Sequence, residues 1–330
     1  MRGKEAKFRT ESLPGVLLHS VQANSLSLRE ANAPSKNLPW SHEPVLWYKL
    51  HERGQELYVF RETPGNYMTN AIHFDHSPLD EVVCGVQFAG VKWSDIHFGL
   101  FYSELGGRYP HTQRRPPVSL FESRGSEGLQ IELTIEPQLP LLWYESPDSP
   151  FLLQVQRDAF FVNWRRQSGT FPYPHFHTRE RGEQGVWDRF ISEWETFRTF
   201  CDRQAIGTPE VLACHLAYIN HMVHEAEWDE PTDLARWFHL LAGVKGTSSV
   251  STLNMTIIQA RGLPLRINVR PAIRISDKKK LFVIDFIVTA KLPPETDLQA
   301  WFDKAHQIIC DEFMAQTTEE AHKQWRLSYG

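Results

Sequence analysis

A polar interruption divides an otherwise apolar stretch of the sequence, LLQVQRDAFFVNWRR at residues 152–166. Apolar and polar residues alternate as far as Gln156, as expected for a half-buried strand, and the alternation fails at Arg157 and Asp158. A β-bulge at this point would restore the apolar pattern on both sides, because one extra residue exchanges the two faces of a strand. We therefore interpret the stretch as one strand with a bulge near its centre.

The polar residues of this stretch could bind a ligand or a partner. Half-buried amides and charges need hydrogen-bond partners, which are either protein groups or a ligand. Arginine binds a carboxylate or a phosphate through two parallel hydrogen bonds, and tryptophan offers a flat surface for stacking. The predicted binding site consists of Gln154, Gln156, Arg157, Asp158, Asn163, Trp164, Arg165 and Arg166. In the alternative interpretation, Trp164 belongs to the core and the arginines pair with Asp188 or Glu193 of the following helix.

Four histidines allow a different chemistry. His221 and His224 would lie one turn apart on a helix, and His175 and His177 could meet them in space. A hydrolytic zinc site needs about three protein ligands, an open position and a base, so a metal-dependent hydrolase is the alternative function. The segment matches no established zinc-binding motif, and solvated histidines are the competing interpretation. We therefore predict neither a metal nor another cofactor.

Motifs for other common reactions are missing from the sequence. It contains no Gly-rich phosphate loop and no Gly-x-Ser-x-Gly elbow. Cys84, Cys201, Cys214 and Cys310 lie far apart with apolar neighbours, which favours buried free thiols. The sequence thus indicates no catalytic residue, and a binding protein is a better prediction than an enzyme.

Nucleic-acid binding is a third alternative, through Arg114, Arg115, Arg165 and Arg166. The formal net charge of −5 and the pI of about 6.3 disfavour it. The 330 residues are 41% apolar and 23% charged, which is typical of globular proteins. No apolar run reaches the roughly 18 residues of a membrane span, and the N-terminal residues do not resemble a secretory signal. We expect a cytoplasmic protein that does not bind membranes.

From residue 77 onwards, two halves of the chain repeat one pattern of predicted elements. Each half begins with a strand, at 81–88 and 210–218, an offset of 129 residues (210 − 81). A short amphipathic helix, strands that share the sequence Leu-Pro-Leu, a turn containing Asp, a last strand and a long helix follow. The order β-α-β-β-β-α, found twice, predicts an α+β fold of two tandem repeats. Each repeat would form an antiparallel sheet covered by its long C-terminal helix, as in helix-grip or saddle-shaped folds.

The spacing of apolar residues predicts where the helices lie. A first short helix would begin after Ser94 and end at Gly106, and a second would lie between Pro231 and Gly243. The long helices carry apolar stripes that begin at Val186 and at Leu298.

The chain is accordingly divided into four regions. Residues 1–38 form a polar, mobile arm, and residues 39–76 form an aromatic extension with a hairpin. Residues 77–205 and 206–330 form the first and second repeats.

Three motifs point to a family. They are SPLDEVVCGVQF (77–88), LQVQRDAFFVNWRR (153–166) with Tyr173-Pro174 after it, and AYIN (217–220). They resemble a sporadically distributed family of uncharacterised prokaryotic proteins, and the resemblance spans about Ser77 to Trp325. It implies no activity and no site residue.

These observations together predict a non-enzymatic, intracellular binding or regulatory protein. A polar cleft at the end of the first sheet would hold a protein or peptide partner, in a chaperone-like or antitoxin-like role. Exposed sheet edges and aromatic extensions commonly bind peptides or partner proteins.

Overall fold

The structure is a computed structural model that describes residues 16–17, 45–52, 55–62, 72–118, 139–167, 173, 175–177, 184–242, 253–259 and 262–329. Its strands are β1 (Val16–Leu17), β2 (Val45–Glu52), β3 (Gln55–Glu62), β4 (Ile72–Phe74), β5 (Leu79–Ala89), β6 (His111–Arg115), β7 (Leu141–Glu145), β8 (Phe151–Gln156), β9 (Ala159–Arg165), β10 (Glu210–Val223), β11 (Leu253–Gln259), β12 (Leu265–Ile273), β13 (Lys280–Lys291) and β14 (Leu327–Tyr329). Its helices are α1 (Asp95–Glu104), α2 (Val186–Arg203), α3 (Leu298–Gln316) and α4 (Glu319–Gln324), with 3₁₀ helices at Pro231–Arg236 and His239–Leu241.

Twelve of these strands form one antiparallel sheet. Their order is β1-β3-β2-β11-β12-β13-β10-β5-β9-β8-β7-β6, and β4 pairs separately with β14. The protein is therefore a mixed α+β structure with a large antiparallel sheet. The sequence predicts two sheets, but the pairing of β5 with β10 joins their strands into one. Strands β2 and β3 pair with each other where the sequence predicts a hairpin, and β2 extends the sheet beyond β11.

The central strands have two different faces. In β5, Val82, Cys84, Val86 and Phe88 belong to the main core, and the residues between them point the other way. We call the first the helix face, because α2 and α3 cover it. The second, the polar face, carries a small apolar cluster of Val83, Ala159, Phe161 and Ala217 among buried amides and carboxylates.

The helices form where the apolar spacing predicts them. Helix α1 has Ser94 at its N-cap, and Gly106 follows its C-cap with a φ of +60°, which suits glycine. Helix α2 packs on β5 and β9, and α3 packs on β10 and β13. The N-cap of α3 is Asp297, whose Oδ2 accepts from the backbone N–H of Ala300 at 3.0 Å.

The second short helix differs from its prediction. The chain there forms two 3₁₀ helices instead of one α-helix. Leu234, Trp237, Phe238 and Leu241 are nevertheless all buried. Spacings of three residues bring side chains to the same side of a 3₁₀ helix as well as of an α-helix, so the pattern does not separate the two.

The interpretation of residues 152–166 as one bulged strand is wrong. Strands β8 and β9 form a hairpin, in which Gln156 pairs with Ala159 and the turn consists of Arg157 and Asp158. The apolar residues of the main core have odd numbers before the turn (Leu153, Val155) and even numbers after it (Phe160, Val162). A bulge in a single strand would give the same change, so the apolar pattern fits both structures. The turn was missed because it lacks the Gly or Asn that usually marks such hairpins. Neither of its residues has a positive φ.

The structure describes little of the predicted polar arm. The predicted polar arm, residues 1–38, lies outside the described residues apart from Val16–Leu17.

Within the described ranges, no helix combines the length and the apolar character needed to cross a membrane.

Candidate functional site

The predicted site residues lie along the β8–β9 hairpin and do not meet at one place. Arg157 and Asp158 form its turn, whereas Arg165 and Arg166 lie at the opposite end of β9. With a rise of about 3.3 Å per residue, the two ends are roughly 25 Å apart. The residues therefore belong to different environments, which are described in turn.

The polar groups near the turn bond to other parts of the chain. The buried amide of Gln156 donates to Val118 O and accepts from Val118 N–H, both at 2.9 Å. The same amide donates to Asp158 Oδ1 at 2.8 Å, and Phe88 N–H donates to Asp158 O at 2.8 Å. Arg157 is exposed. The partners that Gln156 needs are thus protein groups.

The middle of the hairpin adds two buried amides to the polar face. Gln154 and Asn163 are 9% and 3% exposed. Asn163 Nδ2 donates to Glu81 Oε1 at 2.5 Å, while its Oδ1 has no partner among the described residues. Burial raises the pKa of Glu81, against the opposing effects of the Asn163 hydrogen bond and the Arg165 charge. Asn163 therefore supports the carboxyl group of Glu81, which is partly buried.

The two residues at the end of β9 point to opposite faces. Trp164 is 2% exposed and belongs to the core under the helices, with its ring centroid 6.2 Å from that of Tyr173. Arg165 lies on the polar face, where its Nη2 is 2.7 Å from Glu145 Oε1 and its guanidinium lies over the Trp143 ring. Arg165 thus pairs with Glu145 of β7 and not with an acid of α2.

Arg166 lines a cleft of about 910 Å³, which we call the central cleft. The cleft lies where β5 and β13 begin and where β9, β10 and β12 end. Antiparallel strands bring these ends together at one edge of the sheet. The lining residues used below are His76, Asp80, Arg166, His221, Glu227, Arg274, Asp277, Lys279, Trp237 and Trp325.

The carboxylates of the central cleft have neighbours within the protein. Arg274 binds Asp277 through two hydrogen bonds of 3.0 and 2.7 Å, which lower the pKa of Asp277 to about 2. Glu227 Oε2 accepts from Val223 N–H at 2.6 Å, and burial raises the pKa of Glu227.

Asp80 has a weaker arrangement. Its Oδ2 lies 3.2 Å from His221 Nδ1, but the two atoms are not aligned as a hydrogen bond. Its backbone oxygen accepts from Arg166 N–H at 2.7 Å, which fixes the end of β9 beside the start of β5.

Two cations of the cleft have no carboxylate partner. The Arg166 guanidinium lies over the Tyr173 ring, 5.3 Å from its centroid, and its side chain is exposed. Lys279 is exposed in the β12–β13 turn. Among the described residues, neither cation lies within ion-pair distance of a carboxylate. These groups can therefore bind an anionic group without breaking an ion pair.

The apolar part of the cleft includes two tryptophans. The rings of Trp237 and Trp325 are stacked with centroids 5.9 Å apart, and both are at least 95% buried. Trp237 Nε1 donates to Glu227 O at 2.6 Å. This contact fixes the segment that carries Glu227 against the cleft.

The predicted cluster of histidines is not formed. His221 lies in β10, so the helical spacing that would pair it with His224 does not exist. His177 Nε2 is 2.8 Å from Asp303 Oδ1, His221 faces Asp80, and the His224 ring contacts Trp228. The described ranges contain no group of three or more His, Cys, Asp or Glu side chains that could hold a metal ion.

The cysteines are free thiols in apolar surroundings. Cys84, Cys201 and Cys214 are buried, and Cys310 is partly buried. Burial raises the pKa of all four, to about 12 for Cys201, Cys214 and Cys310. A thiol with so high a pKa carries almost no thiolate at neutral pH and is a poor nucleophile.

The four arginines proposed for nucleic acid do not form one basic surface. Arg114 and Arg115 are neighbours in β6 and therefore point to opposite faces. Arg115 and Arg165 lie over the Trp143 ring, at 4.4 and 5.4 Å from its centroid, and Arg166 lies in the central cleft. The ring is thus already occupied by protein cations.

Comparison of the chain with protein-family models, with curated proteins and with solved structures gives no match. The resemblance to a prokaryotic family stays a prediction. The cleft is therefore interpreted from its own residues.

The sequence pattern identified only part of this cleft. Arg166 was found because it follows a predicted strand. His76, Glu227, Arg274 and Lys279 were missed, because they come from separate segments that meet only through the strand order. For the Arg274–Asp277 pair of the cleft, the sequence offers one signal, which is the position of Asp277 in the predicted turn before β13.

Proposed function

We propose that the chain is a non-enzymatic binding or regulatory protein, chaperone-like or antitoxin-like, that holds a protein or peptide partner in the central cleft. The observation that carries this proposal is the convergence of charged side chains from both halves of the sheet on one cleft. Its volume of about 910 Å³ suits a ligand larger than a simple ion.

Two strongly exposed apolar residues lie next to the cleft residue Arg274 in the chain. Ile273 and Ile275 are 65% and 82% exposed. They are not among the residues that line the cleft, so they add exposed apolar surface near it and not a part of its lining.

We also propose that the two halves arose as tandem repeats. Outward from the centre, the order β5-β9-β8-β7 is matched by β10-β13-β12-β11. The central register, in which Cys214 pairs with Val86 and Leu216 with Cys84, allows a two-fold relation with an offset of 130 residues (214 − 84), close to the 129 residues between the two predicted strands. The shared Leu-Pro-Leu does not support it, because it leads into β7 in one half and β12 in the other.

The proposal is tested by filling the cleft. Ala226 is exposed and lines the cleft, so the bulk of Ala226→Trp would occupy the binding space. Tagged wild-type and variant proteins are purified from the native host, and the molecules that co-purify are identified by mass spectrometry. We expect a component that is recovered with the wild type and lost with Ala226→Trp.

A matched control adds the same side chain elsewhere. Ser192 is exposed on α2, away from the cleft, so Ser192→Trp should recover the same component as the wild type. Equal recovery with Ala226→Trp, at equal melting temperature, would show that the partner binds another surface and would refute the proposal.

A further inference from the structure

The charged groups of the central cleft differ in whether they are already neutralised. Its formal charges balance, because Arg166, Arg274 and Lys279 face Asp80, Glu227 and Asp277. What the cleft can bind therefore depends on which of these charges are compensated within the protein. Charge-assisted hydrogen bonds are the strongest of the available contacts, so uncompensated groups determine the ligand.

The acidic groups are the better compensated set. The two hydrogen bonds between Arg274 and Asp277 neutralise both residues. Glu227 is bound by a backbone N–H and lies near the charges of Arg166 and Arg274. Asp80 differs from both: its Oδ2 lies 3.2 Å from His221 Nδ1, but the two atoms are not aligned as a hydrogen bond.

The basic groups Arg166 and Lys279 are exposed and differ in this respect from Arg274. Neither pairs with a carboxylate in the described part of the chain, and they approach the cleft from different segments, the end of β9 and the β12–β13 turn. The stacking of Arg166 on Tyr173 orients the guanidinium and leaves its N–H groups available. An anionic group would thus bind cationic donors that form no ion pair with a described carboxylate.

We infer that the partner presents an anionic group to Arg166 and Lys279, either the carboxylate of an acidic side chain or the phosphate of a phosphorylated one. This inference rests on the proposed function of the central cleft. Arginine binds both groups through paired hydrogen bonds, and lysine adds a point charge.

The inference is tested with small anions that represent the two sources. Succinate stands for the acidic side chain and inorganic phosphate for the phosphorylated one, with sodium chloride at matched ionic strength as the reference. An anion that binds only the folded protein raises its melting temperature, and the rise grows with the ratio of the anion concentration to its Kd. We expect at least one of the two anions to raise the melting temperature more than chloride does, and the stronger of them identifies the group.

Two matched double variants decide whether the effect comes from the cleft. Arg166→Gln with Lys279→Gln removes the two free cations and should weaken anion binding at least about tenfold. Arg198→Gln with Lys304→Gln removes two exposed cations from α2 and α3 and should leave it unchanged. The inference is wrong if neither anion exceeds chloride, or if the cleft double variant keeps the full effect.

The same double variant separates this inference from the proposed function. If Ala226→Trp abolishes recovery of the partner and Arg166→Gln with Lys279→Gln does not, the cleft binds the partner without an anionic contact. If neither change affects recovery, both the function and the inference fail.

Discussion

At the scale of single residues, the position of the Phe161 ring depends on the lack of a side chain at Gly85. Gly85 of β5 pairs with Phe161 of β9, and a Cβ atom on Gly85 would lie 2.2 Å from Cδ1 of the Phe161 ring. The ring therefore lies across the glycine. This placement buries Phe161 to 3% exposure on the polar face, beside Val83 and Ala217. Gly85 thus contributes space and not backbone freedom, since its φ is not positive.

This contact makes a prediction about stability. Gly85→Ala should lower the free energy of unfolding by about 1–3 kcal/mol, because the Phe161 ring has to leave its position. Urea unfolding measures the change. Gly99→Ala is the control, because a Cβ at Gly99 of α1 meets no atom within 4 Å and helix propensity favours alanine. Equal stability of the two variants would show that the ring is not held by this contact.

At the scale of the elements, the sequence predicted most helices and central strands and misread one turn. Apolar patterns identified α1, α2, α3, β5, β10 and β13, because the helices bury one side and the central strands bury several consecutive residues. The same pattern cannot distinguish a bulge from a two-residue turn, and Arg157–Asp158 gives no compositional sign of a turn. The error also altered the predicted site, since it placed the turn residues and Arg166 in one strand, although they lie at opposite ends of a hairpin.

The two ends of that hairpin should respond differently to mutation. Trp164→Ala should cost roughly 3–5 kcal/mol, because Trp164 is 2% exposed in the core. Arg165→Ala together with Arg166→Ala should cost under about 1 kcal/mol, since Arg165 makes one partly exposed ion pair and Arg166 makes none among the described residues. Urea unfolding measures both variants. A Trp164→Ala protein with unchanged stability would place the ring outside the core and restore it as a stacking surface.

At the scale of the whole molecule, the two halves share one core. Strands β5 and β10 pair at the centre of the sheet, and one continuous cluster of buried side chains extends from Phe74 to Trp325. The helices also meet across the halves. The ring of Phe302 in α3 lies 5.1 Å from Trp187 and 5.2 Å from Phe190 of α2, measured between centroids. Halves joined in this way are expected to unfold together, unlike the weakly coupled units of an elongated repeat array.

The contact of Phe302 with α2 provides the test of this shared core. Phe302→Ala removes a fully buried ring and should cost roughly 3–5 kcal/mol. Because the lost contacts belong to both helices, unfolding should remain a single transition. Hydrogen exchange measured by mass spectrometry should show similar losses of protection in peptides from β5 and β9 and in peptides from β10 and β13.

Tyr144 supplies the comparison for this experiment, because it is fully buried within the first half and its hydroxyl donates to Phe98 O at 3.2 Å. If the halves are coupled through one core, Tyr144→Ala should lower protection in β10 and β13 as Phe302→Ala lowers it in β5 and β9. The opposite result would be a variant that lowers protection only in the half that carries the mutation, with a second transition in the unfolding curve. The halves would then be separate folding units joined by strand pairing alone. If each variant instead lowers protection in both halves, the central cleft, which takes residues from both halves, lies on a single rigid framework.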